Sequence, residues 1–154
     1  MNSENTNWEQ SVAGVVIRDN RVLLARHTYG GGKGMLIIPG GYVNVGETPQ
    51  AALKREYREE VNIEIEPANI IGIRFNMHDW YVVFRAEYVS GEAQSDHDEN
   101  DEVLWLAVED ALAREDVPEL TKKLIQSAVN DAKGLQPTAY TGSTKHAPNS
   151  LYCL

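Results

Sequence analysis

The chain has 154 residues, 42% of them hydrophobic, which is long and apolar enough to build one ordinary hydrophobic core. Its net charge of -9 disfavours the phosphate contacts on which affinity for long DNA or RNA mostly depends. No apolar run approaches the roughly 20 residues of a membrane helix, and the opening segment lacks the basic start and apolar stretch of a signal peptide. We expect one soluble, cytoplasmic domain that binds neither long nucleic acid nor a membrane.

The chain begins with a polar leader over residues 1–10, and a β-hairpin is predicted to follow it. Residues 12–17 and 22–25 are short aliphatic runs, and Asp19-Asn20 between them tolerates turn conformations. Residues 29–35 are too rich in glycine for regular structure, so we expect a flexible loop there. A short buried strand is predicted next over residues 36–39, and the pair Gly40-Gly41 follows it.

A helix is predicted over residues 49–61. The Thr48 hydroxyl can cap the free N–H groups of the first turn, Pro49 fits the first helical position, and Asn62 can adopt the left-handed conformation that ends a helix. Residues at a spacing of four give this helix an apolar stripe, formed by Leu53, Tyr57 and Val61.

The remaining pattern predicts a mixed sheet with helices packed on it. Four further strands are expected, over residues 63–65, 70–75, 81–88 and 103–106. A second helix is predicted from Pro118 to about Lys133. Residues 134–154 form a tail rich in Thr, Ser, Pro, Gly and Asn, which we expect to order only against a surface, either of the domain or of a second copy in a homodimer.

Three glutamates on the first helix stand out chemically. Because successive helical residues turn by about 100°, Glu56, Glu59 and Glu60 project from one side of the helix. Such a cluster is usually only a solvated helical face. Like charges at this spacing nevertheless destabilise a helix, so three carboxylates should attract a cation or an Arg. Any phosphate chemistry in so acidic a chain would also need cations to screen it.

The residues around these glutamates match a longer pattern. The segment 41–63 reads GYVNVGETPQAALKREYREEVNI, in which Gly41 and Glu47 are separated by five residues and Arg55-Glu56 precedes Glu59-Glu60. These offsets resemble the signature of the Nudix hydrolase family, a match far more specific than a lone glycine motif. Two positions depart from the pattern, Tyr57 for an aliphatic residue and Asn62 for glycine, and neither is a carboxylate.

The resemblance implies a Nudix-type α/β/α sandwich, an α/β fold with a mixed sheet, over residues 11–133. It also implies a magnesium site, for which Mn²⁺ could substitute, with Glu56 and Glu60 as ligands. Glu59 would share a second ion or a bridging water, and Gly40 or Gly41 would offer a backbone carbonyl. Magnesium prefers such oxygen ligands.

Other residues receive roles from the resemblance or from their chemistry. Arg55 would orient the acids, and Glu47 would serve a structural role near the positive end of the helix dipole. Glu99 and Glu102, in an acidic loop, are candidates for the general base. Lys33 could reach phosphate from the glycine-rich loop, and Trp80 could stack on a nucleobase; a mobile loop and core packing are the simpler interpretations of these two.

The hypothesis that follows is hydrolysis of a diphosphate linkage in a nucleoside diphosphate derivative, with ADP-ribose or a related dinucleotide as the first substrate. A nucleoside triphosphate pyrophosphohydrolase that releases pyrophosphate is the alternative within the family. A non-catalytic Nudix domain that senses a nucleotide is the alternative of another class. Intact carboxylates at positions 56, 59 and 60 favour an enzyme over such a sensor.

Overall fold

The computed structural model describes residues 8–130 and 133–154, so the first seven residues of the predicted leader lie outside it. The strands are β1 (Glu9–Arg18), β2 (Arg21–His27), β3 (Leu36–Ile37), β4 (Gly40–Tyr42), β5 (Glu64–Phe75), β6 (Asp79–Ser90), β7 (Asn100–Ala107), β8 (Gln136–Thr138) and β9 (Leu151–Cys153). The helices are α1 (Pro49–Val61), α2 (Val108–Ala113) and α3 (Glu119–Val129). None of the helices in these described residues is long and apolar enough to cross a membrane.

A mixed sheet forms the centre of the molecule, in the order β3-β2-β1-β6-β5, with β4 also paired to β1 and β7 to β2. Strand β1 runs parallel to β6 and antiparallel to β2 and β4. The predicted hairpin is confirmed, since Asp19 and Asn20 both have positive φ, 51° and 59°, in the turn between β1 and β2.

Helices cover both faces of this sheet, which gives an α/β/α sandwich. Along β1, Val12 and Val16 pack on the face that α1 covers, and Val15 points to the opposite face, as the two-residue period of a strand requires. Helix α1 buries the apolar stripe that the sequence predicts. The opposite core contains residues from α2 and α3, namely Val108, Ala111, Leu124, Ile125 and Ala128.

Helix α1 has the predicted bounds and caps. The Thr48 hydroxyl accepts a hydrogen bond from the Ala51 N–H at 3.1 Å, and Asn62 is left-handed with φ 62°. Tyr57 is fully buried, and its hydroxyl donates to the Gly14 carbonyl at 2.7 Å. The tyrosine at this position therefore joins α1 to β1 with a hydrogen bond that an aliphatic side chain could not make.

The secondary structure differs from the prediction in several places. The expected strands over residues 63–65 and 70–75 are one continuous strand, β5. The polar segment between them does not form a turn, and the register with β6 shifts near Pro67 instead. Strand β5 is an edge strand, where a missing N–H is tolerated. Helix α3 ends at Val129 because Asn130 is extended, short of the predicted Lys133. Helix α2 was not predicted, since it is six residues long and Ala107 offers no capping side chain.

The tail contacts the domain in two places. Leu135 and Ile70 exchange backbone hydrogen bonds of 3.0 Å in both directions. Near the end of the chain, the Tyr152 ring lies edge-on to Phe84 with centroids 5.7 Å apart, and its hydroxyl accepts a hydrogen bond from Gln50 at 3.0 Å. Strands β8 and β9 pair with each other, and Tyr152 of the second contact lies on β9.

The hydrogen bond of Tyr57 leads to a stability prediction. Tyr57→Phe should lower the free energy of unfolding by about 1–3 kcal/mol, because it leaves the Gly14 carbonyl without its side-chain partner in the core. Urea denaturation followed by far-ultraviolet circular dichroism measures the change. Tyr140→Phe, at an exposed tyrosine, is the matched control and should be neutral. Equal stability of the two variants would contradict the prediction.

Candidate active site

Three carboxylates meet at one end of α1. Glu56, Glu60 and Glu99 each offer an oxygen, and these three atoms lie within 4.8 Å of one another. Glu56 and Glu60 stand one helical turn apart and are buried, whereas Glu99 is exposed. Glu99 immediately precedes β7, and the neighbouring Asn100 donates to the Glu60 backbone carbonyl at 2.9 Å. This hydrogen bond fastens the acidic loop to the helix.

The glycine pair of β4 gives the acids their space. A Cβ atom on Gly41 would lie 2.4 Å from Oε1 of Glu56, so any side chain there would displace that carboxylate. A Cβ atom on Gly40 would lie 2.2 Å from the backbone oxygen of Val12 in β1. The Gly40 backbone also hydrogen-bonds the Glu60 carboxylate. Both glycines are therefore needed for close packing between β4, β1 and α1.

Arg55 organises the acidic residues around it. It binds Glu47 in a bidentate pair, with Nε–Oε2 and Nη2–Oε1 distances of 3.1 and 2.7 Å. Its Nη1 donates to Glu56 at 2.8 Å and to Glu59 at 3.2 Å, and its Nη2 donates to the Tyr42 carbonyl at 3.1 Å. Glu47 lies before α1, where its pKa is lowered mainly by the Arg55 hydrogen bonds. Arg55 thus links the loop, β4 and the helix.

The surrounding protein supplies too little positive charge to keep both buried acids ionised. Burial raises the pKa of Glu56, and the contact with Arg55 opposes that rise. Burial also raises the pKa of Glu60, and the charges of Glu56 and Glu99 raise it further. Within residues 8–130 and 133–154, no cationic side chain forms an ion pair with Glu60 or Glu99. An all-oxygen donor set that lacks enough cationic partners suits a hard divalent cation such as Mg²⁺.

A cavity of about 300 Å³ has the glycine pair in its wall, and Gly41 of that pair packs against the Glu56 carboxylate; none of the three acids is itself a lining residue. Its other lining side chains include Tyr29, Tyr42, Tyr81, Arg74, Asp79 and Leu120. The pKa of Tyr29 is raised by partial burial and by the charges of Glu99, Glu60 and Glu56, which shows that this ring lies near the acids. A larger cavity, about 380 Å³, includes neither the glycine pair nor Tyr29 in its lining and is therefore a poorer candidate for chemistry at the acids.

The structure separates the predicted site residues into two groups. Glu56, Glu60, Glu99 and the backbone of Gly40 lie together, and Arg55 and Glu47 lie directly behind them. Glu59 is exposed and is held by Arg55, outside the group of three carboxylates.

The weaker candidates lie elsewhere. Glu102 is paired with Arg26 at 3.0 Å. Trp80 does not line the cavity beside the acids, and its ring instead lies edge-on to Phe75 with centroids 5.1 Å apart. Lys33 is exposed on the glycine-rich loop, part of which forms a 3₁₀ turn over Gly30–Gly32.

Sequence reasoning missed most of the cavity lining, including Arg74 and Asp79. Tyr81 lines the cavity and its neighbour Trp80 does not, because consecutive residues of a strand point to opposite faces. Arg74 and Asp79 lie on β5 and β6 at either side of a short turn. The alternation of side chains along β5 and β6 could have indicated which residues share a face. That pattern identifies cavity residues only when it is known which face of the sheet borders the cavity.

Comparison with known proteins gives consistent results. A sequence model of the NUDIX domain matches residues 8–127. An ADP-ribose pyrophosphatase from Methanocaldococcus jannaschii is 29% identical over 94 residues, which are 57% of this chain and 56% of that protein. An NAD-capped RNA hydrolase from Pseudomonas aeruginosa is 34% identical over 104 residues, 62% of this chain and 34% of that protein. The chain therefore spans between about a third and just over half of the length of these two relatives.

A MutT-like protein from Streptomyces ambofaciens matches over more of its length. It is 35% identical over 107 residues, which are 68% of this chain and 67% of that protein.

Solved structures share the fold. A MutT NUDIX hydrolase from Burkholderia pseudomallei superposes with a TM-score of 0.67 at 22% identity, over 79% of this chain and 98% of the other. A NUDIX hydrolase from Nitrosomonas europaea gives a TM-score of 0.71 at 21% identity, over 80% of this chain and 70% of the other. At these identities the likeness concerns the fold alone.

The contacts of Arg55 predict how strongly the site depends on it. Arg55→Lys keeps the positive charge but removes the planar guanidinium group with its several N–H donors. The lysine ammonium cannot hydrogen-bond Glu47 and Glu56 in the same geometry. We expect affinity for Mg²⁺ or Mn²⁺ to fall by about 10- to 100-fold, as is usual when a partner of a metal ligand is changed. Calorimetric titration with Mn²⁺ measures this. Arg21→Lys, at an exposed position in β2, is the control, and equal affinities in both variants would refute the role of Arg55.

The raised pKa values predict a pH dependence of stability without metal. A carboxyl with a raised folded-state pKa binds more protons folded than unfolded, so its contribution to stability falls as pH rises above the unfolded value of 4.5. Glu60→Gln should therefore gain stability relative to wild type between pH 5 and 8 in the presence of a chelator. Added Mg²⁺ should stabilise the wild type and not this variant.

Paired urea titrations at each pH provide the measurement. Other carboxylates, among them Asp116 with its lowered pKa, lose stabilising charge in acid, so only the difference between variants is informative. Glu109→Gln on α2 is the control for removing one exposed carboxylate. A stability difference between Glu60→Gln and wild type that stays constant over this pH range would contradict the prediction.

Proposed function

The chain belongs to the NUDIX family of hydrolases, and from that premise we propose that it cleaves a diphosphate linkage in a nucleoside diphosphate derivative with the help of Mg²⁺. The observation that carries the proposal is the meeting of Glu56, Glu60 and Glu99 beside a cavity of about 300 Å³. Pockets of this size lie at the small end of those that hold organic ligands. One nucleoside-sized group would enter the cavity, and the diphosphate would lie at the acids.

Each acidic residue has a distinct part in this proposal. Glu56 and Glu60 are buried and fixed by α1, so they would hold the cation, and Arg55 would keep Glu56 in position. Mg²⁺, or Mn²⁺ in its place, would polarise the phosphoryl oxygens and lower the pKa of an attacking water. Glu99 would accept the proton of that water, a role supported by its exposure and its position beside both buried acids. Glu59 would help to position Arg55 through the ion pair between them.

The substrate class follows from the comparisons more than from the acids. ADP-ribose and related dinucleotides are the first compounds to test, because relatives are named ADP-ribose pyrophosphatase and NAD-capped RNA hydrolase. Nucleoside triphosphates are the second class, because the family resemblance also allows a pyrophosphohydrolase that releases pyrophosphate. Pyrophosphate as a product would identify the second class. The complete set of carboxylates supports an enzyme over a nucleotide sensor, which would bind without turnover.

Two substitutions separate the proposed roles. Glu60→Gln should lower kcat on the best substrate by on the order of 100-fold or more and should also weaken Mg²⁺ binding, because it removes a buried ligand. Glu99→Gln should lower kcat while leaving Mg²⁺ affinity within a few-fold of wild type, because it removes the proton acceptor. A phosphate-release assay over both substrate classes, with calorimetric Mn²⁺ titration of each variant, measures these effects.

Arg85→Lys, at an exposed residue of β6 outside the cavity beside the acids, is the control and should match wild type in both assays. Wild-type turnover by Glu60→Gln would show that the carboxylates do not carry the chemistry. Loss of metal affinity in Glu99→Gln would assign Glu99 to the cation instead of the water. Substrate binding without Mg²⁺-dependent turnover in the wild type would favour the sensor.

A further inference from the structure

The cavity beside the acids contains a charged pair that the proposed chemistry does not use. Arg74 on β5 donates from Nη1 to Oδ1 of Asp79 on β6 at 2.8 Å. Asp79 is 6% exposed and also accepts a hydrogen bond from the Ser11 hydroxyl. Burial alone would raise the pKa of Asp79, but the hydrogen bonds from Ser11 and Arg74 hold that pKa below its usual value. The aspartate is therefore ionised and fixes the guanidinium against the cavity wall.

Arg74 presents unused donors to the cavity. The bond to Asp79 is the one hydrogen bond of the Arg74 guanidinium within residues 8–130 and 133–154, so Nε and Nη2 have no acceptor in that part of the chain. Its side chain is 30% exposed, and the guanidinium carbon lies 5.1 Å from the centroid of the Tyr81 ring. An arginine has donors only. The group that occupies the cavity next to Arg74 must therefore supply acceptors.

The pair is unsuited to a phosphate. Asp79 neutralises the charge of Arg74, and the nearby acids would repel an anion that arrived without metal. The cavity wall is largely aromatic and aliphatic, with Tyr29 and Tyr42 exposed beside the acids and Ile38 buried. Tyrosine rings offer flat faces on which a nucleobase can stack. The chemistry favours a neutral, planar, heteroaromatic group with an edge of acceptors.

A purine with an oxygen at position 6 fits this requirement. Its O6 and N7 are adjacent acceptors that a guanidinium contacts with two hydrogen bonds. Adenine has an amine donor in place of O6, so one donor of the fork would face another donor. Pyrimidines offer no equivalent adjacent pair of acceptors on that edge. The donor fork therefore discriminates between two bases of similar size and shape.

We propose that Arg74, held by Asp79, is a specificity-determining residue that selects guanine or hypoxanthine over adenine in the cavity beside the carboxylates. The proposal rests on the proposed function only in assigning the diphosphate to Glu56, Glu60 and Glu99. It names the base of the substrate, so that GDP- or IDP-linked compounds are hydrolysed in preference to ADP-ribose.

Binding of nucleoside monophosphates tests the proposal without any hydrolysis. Monophosphates contain no diphosphate bond, so calorimetric titration of the full chain with GMP, IMP and AMP in the presence of Mg²⁺ reports recognition alone. We expect GMP and IMP to bind about tenfold more tightly than AMP, the usual discrimination of one bidentate contact. Equal affinities of GMP and AMP for the wild type would overturn the proposal.

Two variants test whether Arg74 is the residue that distinguishes GMP from AMP. Arg74→Lys keeps the positive charge and loses the fork, so its GMP-to-AMP ratio should fall to about one. Arg85→Lys makes the same change on the neighbouring strand outside this cavity and should keep the wild-type ratio. Circular dichroism confirms that both variants fold. An unchanged ratio in folded Arg74→Lys would overturn the proposal.

Steady-state kinetics with GDP-linked and ADP-linked sugars distinguishes this inference from the proposed function. Arg74→Lys should raise KM for the GDP-linked sugar about tenfold, with kcat within a few-fold, because the base lies away from the reacting phosphorus. A protein that prefers GMP but hydrolyses neither sugar would refute the proposed function and leave the base assignment standing. Hydrolysis of both sugars with equal kcat/KM would refute the base assignment alone.

Discussion

The burial of two carboxylates on one helix, Glu56 and Glu60, is the constraint on which the rest of the site depends. Isolated buried charges are strongly unfavourable unless they are paired, protonated or bound to a cation. Arg55 compensates Glu56 and ties it to Glu47 and to the β4 backbone. Glu60 has no such partner among the described residues, and a divalent cation would relieve that imbalance.

Three sets of contacts with the rest of the fold hold the buried carboxylates in position. Tyr57 joins α1 to β1 through the Gly14 carbonyl, and Asn100 joins the start of β7 to the backbone of Glu60. Gly40 and Gly41 allow β4 to approach both β1 and α1. Each contact crosses between different layers or strands. The geometry of the acids therefore depends on the assembled sandwich and is not a property of α1 alone.

The cavity extends from the same glycine pair toward β5 and β6. Parallel pairing of β1 with β6 places Ser11 beside Tyr81 and brings Asp79 to the same end of these two strands. The Ser11–Asp79–Arg74 chain of hydrogen bonds then fixes one wall of the cavity. The acids lie on α1 and in the loop before β7, whereas Arg74 and Asp79 lie on β5 and β6, and the glycine pair of β4 borders both groups. The tail lies outside both, where Tyr152 packs on Phe84 and contacts Gln50 of α1.

The sequence by itself determined the features whose physics is local. The bounds of α1 follow from Thr48, Pro49 and Asn62, the first hairpin follows from Asp19-Asn20, and the acidic motif identifies the family. Spacing along one helix also predicted that Glu56 and Glu60 share a face. Only the tertiary structure decided that Glu99 joins them, that Glu102 is paired with Arg26, and that Arg74 and Asp79 line the cavity. These outcomes depend on strand register and pairing between distant segments, which no local periodicity encodes.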